Sequence, residues 1–187
     1  MYESLAKIVL MSDSFHDFFK FVEHPQFDIA ADSFSSLRDL LTRHKIIVSD
    51  FIQANYQDFF EKFNLLINSS NFVTKLNCLK LLNELLRDRY NLNVMKQYVS
   101  SEDNLKLVMN LMLDKIPAVR LVAFNIFKLF LLNPNKPEPV LDILVRNRDL
   151  LVTYLSSLEV KPGDDRLESE KQNVKMLLEN IKINQEE

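Results

Sequence analysis

The feature that most constrains this chain is a repeat with a period of 45 residues, which brings "FDIAADSFSSLRDLLTRHK", "FVTKLNCLKLLNELLRDRY" and "PAVRLVAFNIFKLFLLNPN" into register without a gap. These segments start at Phe27, Phe72 and Pro117, and their columns agree in class: Phe34, Leu79, Phe124; Leu37, Leu82, Phe127; Leu40, Leu85, Phe130; Leu41, Leu86, Leu131. Ser33, Cys78 and Ala123 form a column of small residues, and Phe60, Leu105 and Leu150 continue the register further on. Within the middle segment Phe72, Leu76, Leu79, Leu82 and Leu86 recur at three- and four-residue steps, the spacing of one helix face. Leu81 and Leu85 widen that stripe beyond what one partner helix covers, so each long helix is expected inside a stack. A helical period of this length predicts an all-α, armadillo- or HEAT-like solenoid, in which each unit buries its faces against its neighbours.

The rest of the chain parses around these three helices. Repeats are expected at roughly 1–26 (partial), 27–71, 72–116 and 117–158, then an acidic linker over 159–167 and a C-terminal helix over 168–183. Asn91 and Ser101 are placed as N-caps, Pro117 suits a first helical turn, and "NPNKPEP" must end the third long helix. With one Gly in 187 residues, strands and their tight turns are not expected.

Charge and composition narrow function by exclusion. A net charge of -3 and a pI near 5.7 give no global electrostatic basis for binding nucleic acid or anionic lipid. The single cysteine, Cys78, precludes an internal disulfide, fits a reducing compartment and is read as a packing residue, which makes the cytoplasm the default location. No apolar run reaches the 18 or so residues of a membrane span, and "MYESLAKIVLMSDSF" lacks a signal peptide's basic start. Leu5, Ile8, Val9 and Leu10 already read as helix, so the first repeat is expected to expose an edge or to lack a preceding portion.

Motifs for chemistry are not found. His16, His24 and His44 are scattered, there is no phosphate loop or nucleophile elbow, and "PGDDRLESE" lacks an EF-hand's ligand pattern. The expectation is a protein that is not an enzyme and that uses no cofactor and no metal, calcium included.

"FDIAADSFSSLRDLLTRHK", "NFVTKLNCLKLLNELLRDRYN", "NLKLVMNLMLDK" and "AFNIFKLFLLNPNKPEPVLDILVRN" closely resemble the scaffold family of calcium-binding protein 39, also called mouse protein 25. The resemblance covers nearly the whole chain and implies an armadillo-like scaffold of about twice this length, matched here in its C-terminal half. It implies a non-catalytic adaptor that binds and allosterically supports the pseudokinase STRAD, with the liver tumour-suppressor kinase, and sterile-20-type kinases, in polarity and growth signalling. The family's concave face contacts the kinase fold, and a pocket in its C-terminal repeats takes a partner's C-terminal Trp-Glu-Phe tail. Carried over residue by residue, Phe27 stands at a kinase-contacting position, and Lys106 and Met109 at tail-site positions. Lys80 and Arg146 are further basic candidates. One departure is Leu76, in "FVTKLNCLKLL", where the family pattern carries a partner-contacting Arg; this puts the usual pseudokinase contact in doubt.

Read without the resemblance, Phe27 would be core or a hydrophobic staple, Met109 part of a core stripe with Leu105, Val108 and Met112, and Lys106 a solvated lysine. Leu76 shares an apolar column with Ala31 and Leu121 and would simply pack. Two other functional classes remain open from the residues alone. A nucleic-acid-binding repeat would need a continuous basic stripe, and the columns Arg38, Asn83, Lys128 and Ser35, Lys80, Asn125 are only partly basic. The other is a structural solenoid fragment without kinase-activating ability.

Overall fold

The computed structural model of the chain describes residues 2–158 and 165–181. Three long helices begin where the repeat places them: α3 spans Phe27–Arg43, α6 Phe72–Arg87 and α9 Pro117–Leu132. Ahead of the first lie α1 (Glu3–Leu10) and α2 (Asp17–Phe21). Between long helices come pairs of shorter ones: α4 (Lys45–Ala54) with α5 (Tyr56–Ile67), α7 (Leu92–Tyr98) with α8 (Glu102–Met112), and α10 (Glu138–Arg146) with α11 (Arg148–Ser157). The last helix, α12, runs Asp165–Glu179, and no strand occurs among the described residues.

The long helices stack in sequence, α3 on α6, α6 on α9 and α9 on α12, so one layer is a row of four. The shorter helices form the second layer, with α5 on α6, α8 on α9, α8 on α10 and α11 on α12. This is an all-α helical-repeat solenoid. Its core follows the columns: Leu37, Leu82 and Phe127 are all fully buried, as are Leu79, Phe124, Cys78 and Ala123. An aromatic seam joins the first units, where Phe15 meets Phe51 edge-on with centroids 4.9 Å apart and Phe60 meets Tyr98 at 5.1 Å. Such pairs add packing energy beyond the area they bury.

The long helices end without glycine because side chains take over the terminal polar groups. After α6 the Asn91 side chain donates to the Leu85 carbonyl, and the Asp88 carboxylate caps the short turn that follows by accepting from the Tyr90 amide at 3.0 Å. After α9 the Lys136 ammonium donates to the carbonyls of Leu131 and Asn133 at 2.8 and 2.7 Å. Ser101 caps α8 as expected, its hydroxyl accepting from the Asn104 amide at 3.3 Å. Asn91 precedes α7 but does not cap it; its amide instead donates to the Leu85 carbonyl at 3.0 Å and fastens the turn to α6.

Three expectations need correction. Leu150 is exposed, and Leu151 takes the inward place, because α11 begins one residue out of phase after the proline-containing turn at 133–139. The C-terminal helix starts at Asp165, not at residue 168, so part of the expected linker is helical. Asp165 and Glu168 in its first turn complement the helix dipole, and Glu170 binds Lys128 of α9. Residues 159–164 and 182–183 of the expected linker and helix lie outside the described residues. Phe27, read as core or staple, is 73% exposed. α3 packs on α2 and on α6, but its fully buried positions begin only at Leu37, so Phe27 at its first residue stands outside the core.

Candidate functional site

The resemblance points to residues on both layers. In the outer layer, Lys106 and Met109 lie three residues apart and so share one face of α8. Asn104, Leu105, Val108, Leu111 and Met112 are the buried residues of that helix, and Met109 sits half-buried at the border of their stripe, packed against the core. It is neither a full core residue nor a free one. The exposed Lys106 ammonium donates to Glu102 at 2.7 Å and lies 3.6 Å from Asp103. Its pKa is raised, first by the Glu102 hydrogen bond and further by both neighbouring carboxylates.

Arg146 ends α10, which packs on α8, and is 75% exposed with its guanidinium 2.7 Å from Asp142. The fold therefore brings Lys106, Met109 and Arg146 onto adjacent helices. Each cation is held by an i,i+4 carboxylate on its own helix, an arrangement of small energy in water that an incoming anion can enter.

The inner row carries the other candidates. Phe27 and Phe72 stand exposed at the starts of α3 and α6. Leu76 is half-buried and packs against the core, so at this position an apolar contact replaces the charge expected by resemblance. Lys80 is exposed on α6 and has no ion pair among the described residues. The partly basic column is neutralised between helices: Arg38 binds Glu84 at 3.0 Å across α3 and α6, and Lys128 binds Glu170 across α9 and α12. Lys128 also lies 5.1 Å from the Phe124 ring centre. A continuous unpaired basic stripe is not formed by these residues.

Cys78 is buried in the core. Burial, with a smaller contribution from Glu23, pushes the Cys78 thiol up to about 12, far from a reactive thiolate at neutral pH. No group of three or more His, Cys, Asp or Glu side chains that could hold a metal ion occurs among the described residues. Nor is any described helix long and apolar enough to cross a membrane.

The periodicity missed one member of the inner row. In α12, Val174 and Leu178 are buried like Leu82 and Leu86, but 47 residues beyond their α9 counterparts Phe127 and Leu131. Lys171 falls in the column of Leu79 and Phe124, and its ammonium is satisfied by the Leu158 carbonyl at 2.8 Å and by Glu168. Allowing a two-residue insertion in the repeat would have shown it.

Comparison with known proteins agrees with this architecture. The family model described as Mo25-like matches residues 1–182. The proteins called calcium-binding protein 39-like of mouse and human are each 46% identical to this chain over 172 residues, covering 92% of it and 51% of their own length. MO25-like protein 2 of Caenorhabditis elegans is 43% identical over 171 residues, again 51% of its length. The chain thus spans about half the length of the curated relatives it matches. With the repeat, the stacked helices and the match over nearly every residue in agreement, the chain belongs to the Mo25-like family.

Proposed function

We propose that this chain is a non-catalytic, cytoplasmic scaffold that binds a kinase or pseudokinase and holds the partner's carboxylate-ended aromatic tail between α8 and α10. The observation that carries this reading is that Lys106 and Met109 share one face of α8, a helix that packs on α10, whose last residue is Arg146. A tail ending in Trp-Glu-Phe presents a ring to bury and carboxylates to satisfy. A half-buried thioether adapts to the ring, and two cations with only local partners meet the charge. This reading assigns no role to calcium, a word that two relatives carry in their names.

Calorimetric titration with a peptide ending in Trp-Glu-Phe tests the site. Met109→Ala is expected to weaken binding by about 1–3 kcal/mol through lost apolar contact, and Lys106→Glu and Arg146→Glu to weaken it more strongly by reversing charge. Unchanged affinity in all three variants would overturn the assignment.

A further inference from the structure

The row of long helices leaves a channel that the tail reading does not use. Between α9 and α12 two neighbouring clefts of ≈ 250 and ≈ 290 Å³ share Arg87, Asn125 and Glu170. One end is lined by Leu121 and Leu167, the other by Leu132 and Leu177, so the channel follows the two helices for about 16 Å at 1.5 Å per residue. Its apolar wall is open: Leu132 is 63% exposed, and Leu121 and Leu177 are exposed as well.

The charges around it are unbalanced. Lys128 and Arg166 both bind the one carboxylate of Glu170, the latter at 3.1 Å. Arg87, on the α6 side, is exposed and has no ion pair or hydrogen bond among the described residues. Three cations thus face one anion along an apolar trough. Such a surface favours an occupant with leucine-like side chains on one face and carboxylates on its flank, and it disfavours a basic one.

We infer that the α9–α12 channel is a docking groove for an acidic, leucine-bearing amphipathic helix of a partner protein, with Arg87 taking a carboxylate of that helix and Leu132 and Leu177 its apolar anchors. The groove lies on the inner row, apart from the α8–α10 tail site, and the inference does not depend on that site.

The test uses the full chain and a fluorescein-labelled peptide of about 15 residues, with leucines at i, i+4 and i+7 and glutamates beside them. Fluorescence anisotropy is expected to show saturable binding that Leu132→Asp and Arg87→Glu each reduce about tenfold or more, and that a matching lysine-flanked peptide does not reproduce. Arg87→Glu should in turn gain affinity for the lysine-flanked peptide. Both positions are exposed, and circular-dichroism melts matching the parent chain confirm that the variants fold. The inference is overturned if the acidic peptide shows no saturation, if neither substitution changes its binding, or if the lysine-flanked peptide binds the parent chain equally well. It is also overturned if sedimentation shows that Leu132→Asp abolishes a self-association that fills the groove, or if removing residues 182–187 strengthens peptide binding, since a second copy or the chain's own end would then be the occupant. Titration of the Trp-Glu-Phe peptide into Arg87→Glu should be unchanged, which separates failure of this groove from failure of the tail site.

Discussion

The inner row and the outer tail site use their cations differently. On the inner row the pairs cross from one long helix to the next, Arg38 to Glu84 and Lys128 to Glu170. Within one unit, Lys75 of α6 reaches Asp114, just beyond the end of α8, at 3.0 Å. At the outer site Lys106 is held by Glu102 and Asp103 and Arg146 by Asp142, all within four residues on the same helix. A pair spanning two helices is part of what fixes their relative position, and a lost partner leaves a half-buried charge behind. A pair within one helix turn leaves only solvated groups when it opens. The first kind is therefore expected to matter for folding, the second to remain available to a ligand.

The largest effect that sharpens this contrast lies in the core beneath the row. Phe127 is fully buried in α9, and Phe127→Ala is expected to cost about 3–5 kcal/mol of unfolding free energy in urea titration. Met109→Ala, at a half-buried position, should cost clearly less, about 1–2 kcal/mol. Equal losses would make Met109 ordinary core and remove it from the tail site.

Next in size is the pair between helices. The side chains of Lys128 and Glu170 are 12% and 27% exposed, so Lys128→Ala leaves a poorly solvated carboxylate and also loses the contact with the Phe124 ring. A loss of about 1–3 kcal/mol is expected, below that of a fully buried pair and above that of a surface pair. A loss no greater than that of Arg146→Ala in the same urea titration would break the distinction between the layers.

A smaller effect appears with pH. The hydrogen bond from Lys128, aided by Arg166 and opposed by burial, holds the Glu170 carboxyl below its ordinary 4.5. A depressed carboxylate stabilises the fold at pH above its unfolded value, and that contribution is lost as pH falls through the lower folded value. Melting temperature should therefore fall below about pH 4.5, and Glu170→Gln should remove part of that fall while lowering stability at neutral pH. An identical acid profile in Glu170→Gln would show that the pair adds nothing.

How much of this the sequence disclosed follows from what each signal depends on. The starts of α3, α6 and α9 were legible because core columns at a constant 45-residue spacing survive any detail of packing. The C-terminal helix was expected, but its place in the row and the inward turn of Leu151 were not, because insertions of one and two residues shift the phase, and because a buried lysine, Lys171, stands where earlier repeats carry Leu79 and Phe124. Phe27 was misread by its own residues, since an apolar side chain at a helix start says nothing of whether a neighbour covers it. At the candidate sites the sequence and the resemblance identified Lys106, Met109 and Arg146, but only the fold shows that α10, which ends at Arg146, packs on α8. The Arg87 channel had no sequence signal, because its walls come from α6, α9 and α12.

The smallest expected effect on folding is also the most discriminating, and it concerns Lys106. Its ammonium is exposed, its partners Glu102 and Asp103 lie on the same turn of α8, and all three groups can return to water. Side-chain ordering and salt screening offset the attraction in such a pair. Lys106→Ala should therefore leave the melting temperature unchanged, in low salt as in high. Removing the cation does something else to a ligand: Glu102 and Asp103 then stand on that turn without their counter-ion and repel a carboxylate. A Trp-Glu-Phe peptide should lose more affinity with Lys106→Ala than with Glu102→Gln, which frees the lysine and is expected to strengthen binding. If Glu102→Gln weakens the peptide as much as Lys106→Ala does, the lysine serves only its own helix, and the outer layer would be as self-contained as the inner row.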